Sequence, residues 1–223
     1  MSFLGSRLEA ALSLLKQCDN NTLFADIGSD HAFLAIEVLK RKIAENAIAA
    51  DINKLPLDKG RENASLRGIE MEFILSDGFN ALEQKELTSA AVCGMGGELI
   101  ANMILRSDIA KKCCLILQPM SAQEDLRKAI WENGFDIITE RFVIDAGKPY
   151  TVMMVKFTGV KTEYTYNELY LGKEMADSAE FSAYCQKVKS MAEKRRLGII
   201  AKKESTAEID GLISLCQTHI TSV

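Results

Sequence analysis

The stretch Phe24-Ala-Asp-Ile-Gly-Ser-Asp-His-Ala-Phe33 decides the fold. Residues 23–27 form a short apolar run, typical of a buried parallel strand, and Gly28 ends it. Apolar residues at helical spacing follow from Phe33 to about Arg41. A strand, a glycine turn and a helix start form the cradle in which open α/β sheets bind nucleotide-like cofactors. The sequence therefore predicts an α/β fold with a ligand site at this turn.

The residues of the turn indicate which cofactor it suits. A dinucleotide fingerprint contains three glycines, whereas this turn contains Gly28 alone and carries carboxylates at Asp26 and Asp30. Two carboxylates would repel a pyrophosphate but would tolerate S-adenosylmethionine, which has a sulfonium and an ammonium. The turn thus favours a methyl donor over NAD. The predicted cofactor-binding residues here are Asp26, Gly28, Ser29 and Asp30.

The second predicted strand, over residues 46–52, ends in another acid. Asp51 follows Gly28 by 23 residues, close to the spacing of about 20 at which an acid binds ribose hydroxyls. A carboxylate there can accept two hydrogen bonds from the diol. Asp51 or Asn53 can also cap the helix predicted over residues 57–66, and the two roles are compatible. We expect Asp51, Ile52 and Asn53 to bind cofactor.

Two further strands end in candidate ligands. Residues 72–76 deliver Asp77 and Gly78, where a carboxylate can accept the amine of adenine, although Asp-Gly is also a common turn. Residues 90–94 lead into a glycine-rich corner before a helix over 98–105. Three glycines in four residues favour a site wall over tight helix packing alone. This corner consists of Gly94, Met95, Gly96 and Gly97.

The rest of the first 158 residues completes the sheet. A fifth strand over residues 113–117 ends in Gln118-Pro119, and Ser121 with Glu124 predicts a capping box for the next helix. Residues 135–144 and 150–157 read as two final strands joined by a turn, an arrangement typical of methyltransferases rather than dehydrogenases. At the N-terminus, residues 2–17 predict a helix with Phe3 on its apolar face and Arg7 off it. We expect this helix to pack on the sheet, with substrate contact by Arg7 as the alternative.

From residue 159 the pattern changes to helix only. The tail predicts two or three helices, including an antiparallel coiled-coil-like pair, so we divide the chain into domains of residues 1–158 and 159–223. Between residues 187 and 203, seven basic side chains accompany Glu193 alone. Such a run is either a solvated helix face or a contact for RNA phosphates. Its members are Lys187, Lys189, Lys194, Arg195, Arg196, Lys202 and Lys203.

Composition narrows the functional classes. The 223 residues carry a net charge of −4, which gives no overall sign of nucleic-acid affinity, so such a site must be local. The six cysteines lack any Cys-x-x-Cys spacing and indicate reduced thiols in a cytosol. Two histidines exclude a histidine-rich metal centre, and we expect no metal. Neither a signal peptide nor an apolar run of membrane-spanning length is evident, so we expect a cytoplasmic protein without membrane contact.

Three segments of the chain resemble one known family. Residues 24–32, Cys93-Gly-Met-Gly-Gly97 and Leu115-Ile-Leu-Gln-Pro119 resemble the bacterial tRNA (adenine-N1)-methyltransferases that modify the adenine at tRNA position 22. The resemblance extends from about residue 7 to 157, and more loosely through the tail. It implies a Rossmann-like class I methyltransferase sheet that binds S-adenosylmethionine through the first segment, Asp51 and Asp77-Gly78. It also implies a C-terminal coiled-coil domain that holds tRNA.

The chain departs from that family at three positions. Members commonly have Tyr at the position of Phe33, Asn at that of Met120 and Glu at that of Asp51. The Asp51 change keeps the charge. The changes at Phe33 and Met120 remove polar groups near the expected substrate side, which bears on activity and target choice more than on cofactor binding.

The chemistry of the implied reaction suggests roles for the turn. Adenine N1 is already nucleophilic, so the enzyme must extrude the base, desolvate N1 and align it with the methyl group. The candidate catalytic residues are Asp30, which can stabilise the cationic product, His31, which can hydrogen-bond the base, and Phe33, which can stack on it. Met95 is a second stacking candidate. Arg7, Gln118 and Pro119 complete the expected substrate side, with tRNA as the partner of a monomer or weak homodimer.

Two other functional classes stay open. The chain could methylate a small molecule or a protein, in which case RNA affinity would lack a strong salt dependence. It could instead be a non-catalytic module that binds RNA or cofactor.

Overall fold

The computed structural model describes residues 4–221. Seven strands form one sheet in the order β3-β2-β1-β4-β5-β7-β6. The five strands β1 to β5 pair in parallel, and β7 runs antiparallel to both β5 and β6. The strands are β1 (Leu23–Ile27), β2 (Asn46–Asp51), β3 (Glu72–Leu75), β4 (Ser89–Gly96), β5 (Cys114–Ser121), β6 (Phe135–Asp145) and β7 (Lys148–Phe157). The strand order reverses between β1 and β4, which is where open sheets bind ligands.

Helices cover both faces of the sheet. One buried apolar cluster joins α1 and α2 to the sheet, a second joins α2 and α3, and a third joins α4 and α5 to the opposite face. Parallel strands covered on both sides are apolar along their whole length, which explains the continuous apolar run of β1. The helices are α1 (Ser6–Leu15), α2 (Phe33–Lys40), α3 (Lys54–Ser65), α4 (Gly97–Leu105), α5 (Gln123–Glu132), α6 (Tyr166–Leu171), α7 (Ala179–Ala201) and α8 (Ala207–Thr221). The α1 prediction included Phe3, which lies outside the described residues.

Two central strands are longer than predicted. Beyond Cys93, β4 continues to Gly96 through two register shifts, because Met95 pairs with Pro119 and Gly96 with Ser121. Bulges of this kind bend a strand and re-aim its side chains. Three residues of the glycine-rich corner, Gly94 to Gly96, therefore end the strand, whereas Gly97 begins α4. Strand β5 extends beside them through the predicted substrate residues Gln118 and Pro119.

The predicted capping box of α5 is wrong. Ser121 belongs to β5, and the residue that precedes the helix is Ala122, which has a left-handed φ of 52° and provides no side-chain cap. Pairing with β4 holds Ser121 in the strand, and Glu124 instead forms an ion pair with Arg195 at 2.8 Å. A capping box does occur at the start of α6, where Thr165 and Glu168 exchange hydrogen bonds.

The three C-terminal helices, within the predicted two or three, share an apolar cluster. The buried residues of α7 and α8 pack with the end of α6 and with Phe142 of β6. A buried ion pair joins this unit to the sheet, since Arg127 of α5 contacts Glu140 of β6 at 2.6 Å. The same guanidinium donates to the carbonyls of Leu169 and Tyr170, at 2.7 and 3.1 Å. The helical unit is therefore anchored to the sheet by buried polar contacts as well as by apolar packing.

The expectation of six reduced cysteines is wrong for two of them. Cys18 and Cys114 form a disulfide, with their Cα atoms 6.0 Å apart, although 96 residues separate them in sequence. The fold places the end of α1 against the start of β5, a proximity that cysteine spacing alone does not reveal. Cys93, Cys113, Cys185 and Cys216 are free thiols. Within residues 4–221, every helix is too short or too polar to cross a membrane.

Candidate active site

The glycine turn after β1 is held against the end of β2. The amides of Gly28 and Ser29 both donate to the carbonyl of Ala50, at 2.7 and 3.0 Å. Gly28 has a φ of +71°, and a Cβ at this position would lie 1.8 Å from Cε of Met95. Only glycine combines this backbone conformation with such a close neighbour. Hydrogen bonds to β2 and the close approach of Met95 therefore determine the position of the turn.

The two residues before α2 also have left-handed backbones. His31 has a φ of 63° and Ala32 of 56°, which is unfavourable for residues with a Cβ. Backbone strain of this kind often occurs at functional sites. The carbonyl of His31 accepts a hydrogen bond from Asn63 at 3.1 Å, and its ring stacks on Phe33 with centroids 5.5 Å apart. Its Nε2 lies 3.2 Å from Oδ1 of Asp30, so the three predicted catalytic residues form one contact group.

Asp26 is the buried acid of the site. Its side chain accepts a hydrogen bond from the Ser29 hydroxyl at 2.7 Å. Burial raises the pKa of Asp26 to about 6, and the carboxylate of Asp51 nearby contributes to the increase. Within residues 4–221, Asp26 forms no ion pair with a basic side chain. A buried carboxylate without a cation is an unfavourable arrangement that a cationic ligand would relieve.

A cleft of about 550 Å³ opens at the carboxyl ends of β1, β4 and β5. It brings together most of the residues predicted for the cofactor turn, the catalytic group and the substrate side. This volume lies within the range of about 300–1,000 Å³ that is usual for ligand sites. The predicted residues that line it are Arg7, Asp26, Gly28, Ser29, Asp30, His31, Phe33, Gly94, Met95 and Gln118.

Arg7 and Gln118 form the wall of the cleft opposite the glycine turn. Nε of Arg7 contacts Asp145 at 2.7 Å, and Nη1 donates to Oε1 of Gln118 at 3.1 Å. The same oxygen accepts the amide hydrogen of Gly94 at 3.2 Å. The packing of α1 on the sheet is as expected, and it also places Arg7 in the cleft. Pro119 precedes Met120 in this wall but does not line the cleft itself.

The four residues of the glycine-rich corner have different roles. Gly94 has a φ of +83° and lines the cleft together with Met95. Gly97 does not line it, and a Cβ there would lie 2.1 Å from the carbonyl oxygen of Ala122. Gly97 thus allows α4 to approach the backbone just before α5, which fits the packing alternative, while its role in cofactor binding stays a prediction. Gly96 has room for a side chain beside Ser121.

The other predicted cofactor residues lie along the same sheet edge. Oδ1 of Asp51 accepts the amide hydrogen of Asn53 at 2.7 Å, whereas the Asn53 side chain forms no cap. Ile52 is exposed, and Asp77 forms an ion pair with Arg106 at 2.9 Å. Gly78 has the left-handed φ of +58°. None of these residues lines the 550 Å³ cleft, so their role in cofactor binding stays a prediction.

Most of the basic run, which begins on α7 and ends two residues beyond it, contacts other parts of the chain. Arg195 pairs with Glu124 at 2.8 Å, and Arg196 pairs with Asp210 at 2.5 Å. Lys189 donates to Gln217 at 2.6 Å, and Lys187 lies over the ring of Tyr150. Within the described residues, the ammonium groups of Lys194, Lys202 and Lys203 form neither an ion pair nor a hydrogen bond. The run is thus not one uniform solvated face.

Sequence reasoning missed four residues of the cleft. Leu8, Leu34 and Cys93 line it, and burial raises the pKa of the Cys93 thiol far above its usual range. Met120, noted only as a departure from the resembled family, also lines it, with its sulfur 2.9 Å from Nη1 of Arg7. The apolar positions carried no signal that distinguishes a site wall from a core.

A larger open cavity, of about 880 Å³, lies at the amino ends of the strands. It contains none of the predicted site residues, and parallel sheets bind ligands at the opposite edge. We therefore take the smaller cleft as the candidate active site. No group of three or more potential metal-binding side chains occurs between residues 4 and 221.

Comparisons with known proteins agree with this geometry. A family model described as a methyltransferase domain matches residues 4–153. A Mycoplasma pneumoniae protein named putative tRNA methyltransferase is 32% identical over 158 residues, which cover 69% of this chain and 73% of the relative. A Bacillus subtilis tRNA (adenine(22)-N(1))-methyltransferase is 28% identical over 141 residues, or 61% of this chain. The match spans 59% of the Bacillus enzyme's length.

A solved structure resembles the fold over nearly the whole chain. It is that of a Streptococcus pneumoniae putative tRNA (m1A22) methyltransferase in complex with S-adenosyl-L-methionine. It matches with a TM-score of 0.81 and 25% sequence identity, covering 98% of this chain and 100% of that one. The similarity therefore includes the C-terminal helices as well as the sheet.

Proposed function

The chain belongs to the methyltransferase domain family, and from this membership we propose that it transfers a methyl group from S-adenosylmethionine to N1 of an adenine in tRNA. The predicted Rossmann-like fold is confirmed by the sheet order and by the family match. One observation carries the proposal: a cleft at the reversal of strand order contains a buried carboxylate, Asp26, that forms no ion pair within residues 4–221. The proposed substrate is that of the relatives, which are named as tRNA methyltransferases.

The residues of the cleft fit a cationic cofactor. Asp26 and Asp30 would attract its positive charges, while Gly28 and Gly94 keep the walls free of side chains. Asp51, at the end of β2, would accept the ribose hydroxyls. Asp77 would accept the adenine amine. When bound, S-adenosylmethionine supplies an electrophilic methyl group on its sulfonium.

The substrate side would act by orientation rather than by proton removal. Adenine N1 carries a lone pair, so the walls need only hold the extruded base and exclude water. The stacked rings of His31 and Phe33 offer a flat surface for the base, and Asp30 offers negative charge for the cationic product. Arg7, held by Asp145 and Gln118, faces them across the cleft.

The remaining parts of the proposal concern the whole chain. We infer that residues 1–158 form the catalytic domain, and that residues 159–223 form a coiled-coil-like domain that contacts tRNA. Lys194, Lys202 and Lys203 are the best candidates for phosphate contacts, because their ammonium groups have no acceptor in the described chain. A monomer or weak homodimer in the cytoplasm would suit such an enzyme.

Methyl transfer from labelled S-adenosylmethionine to unmodified bacterial tRNA tests the proposal. Nucleoside analysis of the product should recover the label as 1-methyladenosine. Recovery of the label in another nucleoside would overturn the choice of N1. Calorimetric binding of S-adenosylhomocysteine without any transfer to tRNA would overturn the substrate and direct attention to Phe33 and Met120.

A further inference from the structure

A second cavity lies beside the cleft, between the start of α5 and one face of α7. Its volume is about 350 Å³. Its lining combines apolar, aromatic and charged side chains. They include Met120, Glu124, Asp125, Lys187, Val188, Met191 and Arg195.

The second cavity adjoins the candidate active site. Met120 lines both. Tyr150 links them as well, because its ring lies 4.9 Å from Cζ of Arg7 and 5.6 Å from Nζ of Lys187. Arg7 belongs to the cleft and Lys187 to the second cavity. The two cavities are thus neighbours, and a polymer strand bound in the cleft can continue into the second cavity.

Of the two basic residues that line the cavity, Lys187 is the one that forms no ion pair in the described part of the chain. Arg195 forms an ion pair with Glu124 at 2.8 Å and donates to the Tyr170 hydroxyl at 2.6 Å. Lys187 forms no ion pair with the described carboxylates, and its ammonium lies near the faces of Tyr150 and Tyr184. Partial burial lowers the pKa of Lys187, while the charge of Glu124 opposes this effect. An ammonium held in this way favours an anionic ligand.

The mixture of groups selects among possible ligands. Glu124 and Asp125 place carboxylates at the same cavity as Lys187 and Arg195, so its formal charge is balanced and a free inorganic anion gains little. Val188 and Met191 provide apolar surface. A nucleotide matches all three features, with a phosphate for the ammonium, hydroxyl and amine donors for the carboxylates, and a base for the apolar surface.

We propose that this cavity binds a ribonucleotide of the RNA substrate, next in the strand to the adenine that occupies the cleft. The assignment rests on the proposed tRNA substrate. Holding the neighbouring nucleotide stabilises the extruded base, because the strand is then fixed on one side of it. The sequence marked Lys187 only as one of seven basic residues, whereas the structure gives it a site of its own.

Two substitutions test the two parts of this subsite. Lys187→Met removes the ammonium and keeps the length of the side chain. Its tRNA affinity should fall about three- to tenfold, and the slope of log affinity against log salt should decrease by about one. Met191→Trp fills the cavity and should raise KM for tRNA without changing the salt slope. Lys128→Met is the matched control, since Lys128 is an exposed lysine of α5 outside both cavities.

Direct binding of tRNA, methyl transfer and the heat of S-adenosylhomocysteine binding are measured for every variant. Unchanged heat shows that a variant is folded. If Lys187→Met matches Lys128→Met while the parent protein methylates tRNA, the subsite is wrong and the proposed function stands. If the salt slope depends on Lys187 but no 1-methyladenosine forms, the RNA contact stands and the proposed reaction is wrong. Absence of tRNA binding by the parent protein overturns both.

Discussion

The buried acid of the cleft and the basic residues of α7 differ in whether their charges are paired within the chain. In the cleft, Asp26 is buried, and its side-chain partner among residues 4–221 is the Ser29 hydroxyl. Asp51, outside the cleft at the end of β2, accepts a backbone amide hydrogen. On α7, Arg195 and Arg196 each contact a carboxylate of the same chain. Arg195 and Arg196 are already neutralised by partners within the fold, whereas the carboxylate of Asp26 has no counter-charge among the described residues and can attract a cationic ligand. For these residues, pairing indicates the role better than the number of charges does.

The largest expected effect is a loss of stability when the buried ion pair between Arg127 and Glu140 is broken. Arg127→Met leaves Glu140 buried without its cation, and breaking a buried pair in this way costs about 3–5 kcal/mol of unfolding free energy. Urea unfolding followed by circular dichroism measures the loss. Because the loss comes from the uncompensated buried carboxylate of Glu140, adding Glu140→Gln should recover a large part of the stability. A double variant as unstable as the single one would mean that the contacts of Arg127 with the carbonyls of α6 dominate.

The next effect concerns the unpaired acid of the cleft. Asp26→Asn preserves shape and can still accept the Ser29 hydrogen bond, but it removes the charge that attracts the cofactor. An attraction of about 4 kcal/mol at 4 Å, for an effective dielectric constant of about 20, sets the upper limit. We expect about a 100-fold loss of affinity for S-adenosylmethionine in calorimetry.

Asp58→Asn is the control for that experiment. Asp58 is a surface acid on α3 that pairs with Arg61 at 2.8 Å, so its loss removes one negative charge without touching the cleft. Cofactor affinity should be unchanged in this variant. Equal losses in the two variants would mean that overall charge, rather than the buried carboxylate, attracts the cofactor.

The pH dependence of binding is the third expected effect. Burial raises the pKa of Asp26 to about 6, so the carboxyl is largely protonated at pH 5 and ionised at pH 7. Affinity for S-adenosylmethionine should therefore rise about tenfold between these two values, with a proton released on binding. Calorimetry in buffers of different ionisation enthalpy measures that proton. Affinity that is flat across this range would exclude Asp26 as the titrating group.

The stability of the ligand-free protein should change in the opposite direction. The folded state keeps a proton on Asp26 up to about pH 6, whereas the unfolded chain releases it near pH 4. The unfolding free energy should therefore be highest below about pH 4 and should fall by roughly 3 kcal/mol as the pH rises through about 6. Asp26→Asn has no such proton, so the difference in unfolding free energy between parent and variant isolates this carboxyl.

The sheet edge could be predicted from sequence because its signals are local. An apolar run followed by Gly28 specifies a strand and a turn within ten residues, and Asp51 follows at a fixed spacing. The same reasoning placed Asp26, Asp30 and His31 in one site, and the cleft contains all three. What could not be predicted depends on residues far apart in the chain. The contact of Arg7 with Asp145 joins positions separated by 138 residues.

The partners of the basic run also could not be predicted from the sequence. Its composition is visible in the sequence, but its partners Glu124 and Asp210 lie on other helices. The capping motif at Ser121 failed for a related reason, because pairing with β4 outweighed the local preference for a helix cap. Local sequence pattern thus predicts the helices and strands, whereas contacts between distant segments determine which charged side chains form ion pairs.

The smallest effects should separate paired from unpaired basic residues within the run itself. Lys202→Ala removes an ammonium without an acceptor among the described residues, so tRNA affinity should fall about two- to threefold while stability is unchanged. Arg196→Ala breaks a surface pair with Asp210, so it should lower the unfolding free energy by about 1 kcal/mol or less. Filter binding and thermal unfolding of both variants measure the contrast. If Arg196→Ala weakens tRNA binding as much as Lys202→Ala does, ion pairing within the chain does not withdraw a side chain from RNA, and the distinction between paired and unpaired basic residues fails.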